Sequence, residues 1–222
     1  MLLLSIMLKA NCQQASSIKL NIHLLFGSKT LVIADESYPL ANGDSIRFDM
    51  LRFYISGIQL FYNNSLTYAE QNSFHLIDAA DKNSVYLSFP MPEKTRFDKI
   101  KFNLGIDSLT NVSGVMGGDL DPTKGMYWTW QSGYINFKLE GSSAVCPTRN
   151  HEFQFHLGGY QDPFYAMQTL ELEVKNSGSL DIYFDLQKLT NELDLQKLNH
   201  IMSPGKEAVD LSELTSKCFS TR

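Results

Sequence analysis

Ser45-Ile-Arg-Phe-Asp-Met-Leu-Arg-Phe-Tyr-Ile-Ser-Gly-Ile-Gln-Leu-Phe-Tyr62 is the stretch on which the fold class turns. Apolar and polar residues alternate along it in two pieces, the period of a strand that buries one face. Asn42-Gly43-Asp44 precedes it and Asn63-Asn64-Ser65 follows it, both rich in residues that favour turns. No other segment of the chain carries a β signal as long.

The same alternation recurs on both sides. Ile18-Lys-Leu-Asn-Ile-His-Leu-Leu-Phe26 alternates as far as His23 and turns at Gly27-Ser28, which places His23 in the polar set with Lys19 and Asn21. Ser73–Asp78, Ser84–Phe89, Phe97–Gly105, Met167–Val174 and Ser179–Leu186 read as further strands. Only Leu186 to His200 spaces its leucines near a helical period, before Pro204-Gly205 breaks it. The pattern predicts an all-β protein: an antiparallel β-sandwich with long loops and a short C-terminal helical segment. A chain of 222 residues can hold one such core, so residues 18–222 are read as a single domain. The formal charge of -5 offers no basic field for nucleic acid, and none is expected as a partner.

Residues 1–17 read differently. Met1-Leu-Leu-Leu-Ser-Ile-Met-Leu8 is apolar but too short to span a bilayer, and Cys12 follows just beyond it. This resembles a bacterial lipoprotein signal, although no basic residue precedes the apolar run. It implies lipidation at Cys12, a short tether, and attachment to a membrane in the periplasm or at the cell surface. Removing Cys12 leaves Cys146 and Cys218, an even pair in an oxidising compartment. A disulfide between them is expected, with two unpaired thiols as the alternative.

Both tryptophans fall within Lys124-Gly-Met-Tyr-Trp-Thr-Trp-Gln-Ser-Gly-Tyr-Ile-Asn-Phe-Lys-Leu-Glu-Gly141. A continuous strand there would turn Met126, Trp128, Trp130 and Tyr134 to one side. Such a cluster either plugs a sandwich core or forms a redox or metal site with the nearby thioether and imidazole. Phe153-Gln-Phe-His-Leu-Gly-Gly159 follows, with His156 at a strand end beside two glycines. The long piece from Ile106 to Lys124 carries Asp107, Asp119 and Asp121, which offer oxygen ligands to calcium. Their spacing is not that of a calcium hand, and turn chemistry is the better account of them. His75 and His200 read as ordinary surface residues.

The run Gly125-Met-Tyr-Trp-Thr-Trp-Gln-Ser-Gly-Tyr-Ile-Asn-Phe-Lys138, followed by Phe155-His-Leu-Gly158, resembles the signature of the MbnP family. These are copper-binding proteins related to MopE and CorA of methanotrophs, and the likeness covers nearly all of the mature chain. It implies a β-sandwich that binds copper(I) through imidazoles and a tryptophan oxidised to kynurenine. The oxidation is carried out by a dihaem partner related to cytochrome c peroxidases, an MbnH-like protein. Transferred by position, His156 is the metal ligand and His23 the second imidazole; Trp128 or Trp130 is the oxidised residue, and Met126 is a further donor. The other reading is a cell-surface binding or adhesion module that takes no metal. No nucleophile triad, paired acid motif or phosphate loop is visible in the sequence, and no autonomous enzyme is expected.

Overall fold

A computed structural model describes residues 15–92, 94–130, 133–175 and 179–222. Cys12, the expected lipidation site, lies outside the described residues. The first strand is Ala15–Phe26, so regular structure begins three positions before Ile18.

Two sheets face each other. In the smaller, Ala15–Phe26 lies between Ser179–Asp185 and Tyr86–Pro92, with Phe219–Ser220 at one edge. The larger runs in the order Gln168–Glu173, Lys99–Leu104, Ser45–Tyr62, Gly133–Ser143, Glu152–Gly158 and His200–Ile201. Ser45–Tyr62 is its spine, because three further short strands pair along it: Ser37–Pro39, Ser65–Ala69 and Phe74–Asp78. Gly57, at φ +61° with Asn103 close against it, bends this strand where its pairing with Lys99–Leu104 shifts register. The inward set changes phase there, from Ile55 to Ile58, and also earlier, from Phe48 to Leu51, where the pairing with Gly133–Ser143 shifts register.

The sheets are mixed, not purely antiparallel as expected. Ala15–Phe26 pairs in parallel with Ser179–Asp185, and Glu152–Gly158 in parallel with His200–Ile201. Local alternation fixes which face of a strand is buried; the direction of its neighbour depends on long connections that bring distant segments together.

The inward residues meet in a layer of aromatic rings. Phe53 lies 6.1 Å from Phe137 and 5.4 Å from Phe184, so that ring bridges both sheets. A second, smaller core lies on the outer side of the larger sheet. There Tyr54, Leu76, Ile106, Leu120, Met126, Trp128, Tyr134 and Ile135 are buried together. The segment from Ile106 to Trp128 covers them, by way of a short helix, Ser108–Val112, and two 3-10 turns.

Two helices close the C-terminal part. Asp185 caps Leu186–Glu192 by accepting from Gln187 N, in the region where leucine spacing predicted a helix. Lys206–Ser216 was not expected. Its buried face includes Ala208, Ser212 and Thr215, and the two hydroxyls donate to carbonyls one turn back, so the face is too polar to register as a hydrophobic stripe.

The expected disulfide is absent. Cys146 and Cys218 are free, buried thiols, and the Cys218 Sγ turns back on the end of the preceding helix to donate to Leu214 O at 3.5 Å. Burial raises both thiol pKa values, that of Cys218 to about 12. Both thiols are therefore expected to stay unreactive toward a thiol reagent in the folded protein and to react together in denaturant. Intact mass after alkylation, with and without denaturant, reads this; a bridge would leave both unmodified until reduction.

Candidate functional site

The tryptophan segment is a hairpin, not one continuous strand. Tyr127–Trp128 pairs back on the start of Gly133–Ser143, with Trp128 opposite Gly133 and Tyr127 opposite Tyr134. The reversal separates the residues expected on one side. Met126 and Trp128 are buried in the second core, whereas Trp130 lies at the turn, 65% exposed. The two indoles still touch, with ring centroids 5.9 Å apart.

Trp128 lies directly over Gly158. A Cβ on that glycine would come within 2.6 Å of the indole Cζ3, so the glycine after His-Leu is what admits the ring. The tryptophan motif and the histidine motif thus join through van der Waals contact. Trp128 Nε1 is buried without a hydrogen-bond partner, as is Asn136 Nδ2. An unpaired buried donor costs about 1–3 kcal/mol, so the indole is held by packing alone.

Along Glu152–Gly158, Phe153, Phe155 and Leu157 point into the main core. Gln154, His156 and Gly158 therefore share the outer face with Trp128. Cross-strand pairing builds a row over four strands on this face: Asp78 opposite Arg52, Arg52 opposite Lys138, and Lys138 opposite His156. His156 is 5% exposed, and its Nε2 lies 2.6 Å from Glu140 Oε1.

Electrostatics fixes the state of that pair. Burial is the main influence holding His156 below the ordinary imidazole value; the Glu140 bond opposes it, and Lys138 and His200 add to it. Burial alone would raise Glu140, but the His156 bond and the Lys138 charge more than offset it and the carboxyl lies below its usual range. At neutral pH the imidazole is uncharged, Nε2 donates to an ionised carboxylate, and Nδ1 carries the lone pair.

Both shifts are downward, so the unfolded chain takes up protons at these groups before the folded protein does. The stability they carry is complete above the unfolded histidine value of 6.5. It falls as pH drops below that value, and falls further below the ordinary glutamate value of 4.5. Urea midpoints are expected to decline from about pH 7.5 to about pH 5, and to decline less in His156→Gln. Equal declines in the two proteins would remove His156 as the cause.

His23 does not join His156. It lies on the outer face of the smaller sheet, while His156 is on the outer face of the larger, and the aromatic core stands between them. Two packed sheets are about 10 Å apart before side chains are counted, so the two imidazoles cannot share an ion. His23 Nε2 instead donates to Asp181 at 2.7 Å. Register could not be read from the alternation of one strand, which is why the pairing was misjudged.

The neighbouring imidazole is His200, which in the sequence reads as an ordinary surface residue. His200 pairs with Gln154 in the parallel ladder, two residues from His156 and on the same outer face. Such diagonal neighbours lie roughly 7–8 Å apart. Nothing in the sequence signals this, because the contact joins segments more than forty residues apart. Glu140 was legible in principle, since it alternates with Lys138 on one face of its strand. The other histidines are engaged elsewhere: His75 with Glu70 at 2.8 Å, and His151 with Cys146 O at 3.0 Å.

The three aspartates considered for calcium are spent on local structure. Asp107 caps the short helix through Thr110, Asp121 caps a 3-10 turn through Thr123, and Asp119 divides its oxygens between Leu76 N and Lys124. Among the described residues, no group of three or more His, Cys, Asp or Glu side chains is arranged to hold a metal ion. No helix among them is long and apolar enough to cross a membrane.

Comparison with solved structures finds MbnP from Methylosinus trichosporium, with a TM-score of 0.62 at 13% identity. The match covers 82% of this chain and 80% of that one. At that identity the likeness is one of fold. Comparison with curated proteins returns no match. The family model named MbnP matches residues 15–203, a span that takes in the hairpin, His156, Gly158 and His200. On that match, the chain belongs to the MbnP family.

Proposed function

We propose that this chain is an exported copper(I)-binding protein, in which His156 is the principal ligand and His200 supplies the second imidazole. The observation that carries the reading is the buried, neutral His156, oriented by Glu140 and two residues along the same strand face from Gly158, on which Trp128 rests. An uncharged imidazole with its partner nitrogen bonded to a carboxylate is the usual arrangement at a metal site. Copper(I) accepts imidazole and thioether donors at low coordination number, so two imidazoles suffice and no third ligand from a carboxylate is needed. Calcium and magnesium call for a cage of oxygen ligands, which this face does not offer.

The finer part of the proposal is oxidation of Trp128 or Trp130 to kynurenine by a dihaem partner related to cytochrome c peroxidases. An indole offers only an N–H donor, whereas kynurenine offers an amine and a carbonyl. Trp130, largely exposed, is open to a partner protein, while Trp128 is not. Lipidation at Cys12 would hold the domain at a periplasmic or cell-surface membrane. No catalytic activity is proposed for the chain itself.

Copper(I) titration of the mature domain against a chromophoric chelator tests the first part, and the mass of the Gly125–Lys138 peptide from native protein tests the second. Failure to compete for copper(I) before and after oxidation would favour the other reading, a binding module that takes no metal. The exposed Trp130 and Tyr165 rings are what recommend that reading.

A further inference from the structure

Lys138 stands in the middle of the charged row on the outer face of the larger sheet, opposite His156 on one neighbouring strand and opposite Arg52 on the other. Its ammonium lies 3.5 Å from Glu140 Oε1, the same oxygen that accepts from His156 Nε2 at 2.6 Å. One carboxylate oxygen therefore ties a fixed cation to a neutral imidazole. The Lys138 side chain is 14% exposed, and its ammonium also donates to Gly125 O at 3.5 Å, so it cannot swing into solvent without giving up both partners. Its field reaches the ring and is among the influences that lower the His156 pKa.

The charges of this row cancel. Arg52 holds Asp78 at 2.8 Å, Lys124 holds Asp119 at 2.6 Å, and Lys138 answers Glu140. Glu152 shares the face but is exposed and four residues from His156, about 13 Å along the strand, where salt screens it. A carboxylate bonded to a ligand imidazole ordinarily favours a divalent ion, as in carboxylate–histidine–zinc arrangements. Here the lysine on the same oxygen removes that advantage. Burying an ion costs in proportion to the square of its charge, and repulsion from a neighbouring ammonium grows in direct proportion, so both effects weigh more on a doubly charged metal.

We propose that Lys138 determines the charge selectivity of this site: by cancelling Glu140 beside the ligand imidazole, it admits a soft, singly charged ion and disfavours doubly charged ones. This rests on the reading of His156 as a copper(I) ligand and deepens it. Specificity is a difference of affinities, and a repulsive group aimed at the wrong partner is one way to build it. Lys138 acts through its field and is not itself a ligand.

The test compares Lys138→Met, similar in length but uncharged, with the unsubstituted full chain. Copper(I) affinity is read by competition with a chromophoric chelator and zinc(II) affinity by competition with a zinc-responsive dye. Losing one unit of positive charge is expected to raise copper(I) affinity about tenfold and zinc(II) affinity, which feels that charge twice over, about a hundredfold. Lys138→Arg keeps the charge and is expected to keep the zinc(II) affinity of the unsubstituted chain. Lys138→Gln repeats the comparison with a second uncharged side chain, and circular dichroism shows that each variant retains its sheets. Equal factors for the two metals overturn the proposal while leaving the copper(I) site intact, because Lys138 would then act through packing. So does a rise in zinc(II) affinity in Lys138→Arg as large as in Lys138→Met. Absence of copper(I) binding in both the unsubstituted chain and Lys138→Met overturns the reading of His156 itself, and the selectivity falls with it.

Discussion

Replacement of His156 by alanine is expected to lower copper(I) affinity by about a hundredfold or more, because even the residues that merely orient a metal ligand are worth 10- to 100-fold. A site with two imidazoles has no surplus donor to take over. His200→Ala is expected to weaken binding as well, though less, since His200 is exposed while His156 is buried against Glu140. His23→Ala should change nothing: that imidazole is on the opposite face and bonded to Asp181. His75→Ala, remote and bonded to Glu70, serves as a second control. Competition with a chromophoric chelator reads all four affinities. Unchanged binding in His156→Ala ends the proposed site, whereas equal losses in His23→Ala and His200→Ala would point to general loosening of the sandwich.

Glu140 makes a finer distinction. Glu140→Gln keeps the shape of the pair but removes the charge that holds the proton on Nε2. The expected loss of affinity is about tenfold, less than for removing the ligand. If Glu140→Gln cost as much as His156→Ala, the carboxylate would have to be a ligand itself.

The limits of the sequence as a guide follow from which contacts are local. Alternation along Ser45–Tyr62 announced a strand buried on one face, and Phe48, Phe53 and Ile55 do point into the core. The signature from Gly125 to Gly158 covers the two motifs that meet where Trp128 rests on Gly158. What alternation could not convey was direction and register, which depend on partners far away in the chain. Ala15–Phe26 and Ser179–Asp185 look the same whether parallel or antiparallel, so the sheets were expected to be purely antiparallel, and His23 was placed near a histidine it cannot reach. His200 reads as a surface residue for the same reason, its place beside His156 resting on a two-residue parallel bridge. The tryptophan segment failed in another way. Its apolar pattern continues across a turn, and only the pairing of Trp128 with Gly133 shows that the chain reverses there.

Gly158→Ala is expected to damage both the fold and the site, and it tests the contact that joins the two motifs. The added Cβ would come within 2.6 Å of Trp128 Cζ3 and 2.8 Å of Tyr134 O. The carbonyl belongs to paired backbone and cannot retreat cheaply, so the indole must give way. Trp128 is itself confined between Trp130 and the second core, where Met126 and Tyr134 are almost wholly buried. Overpacking of this kind costs about 1–3 kcal/mol. The loss should appear as a lower urea midpoint, together with a red shift of tryptophan emission as the indole moves toward water. Since His156 is two residues away on the same face, copper(I) affinity is expected to fall as well. Gly117→Ala is the matched control, because a Cβ there meets nothing within 4 Å. If Gly158→Ala and Gly117→Ala behave alike in stability and emission, Trp128 does not rest on Gly158, and the physical link between the tryptophan hairpin and His156 is lost with it.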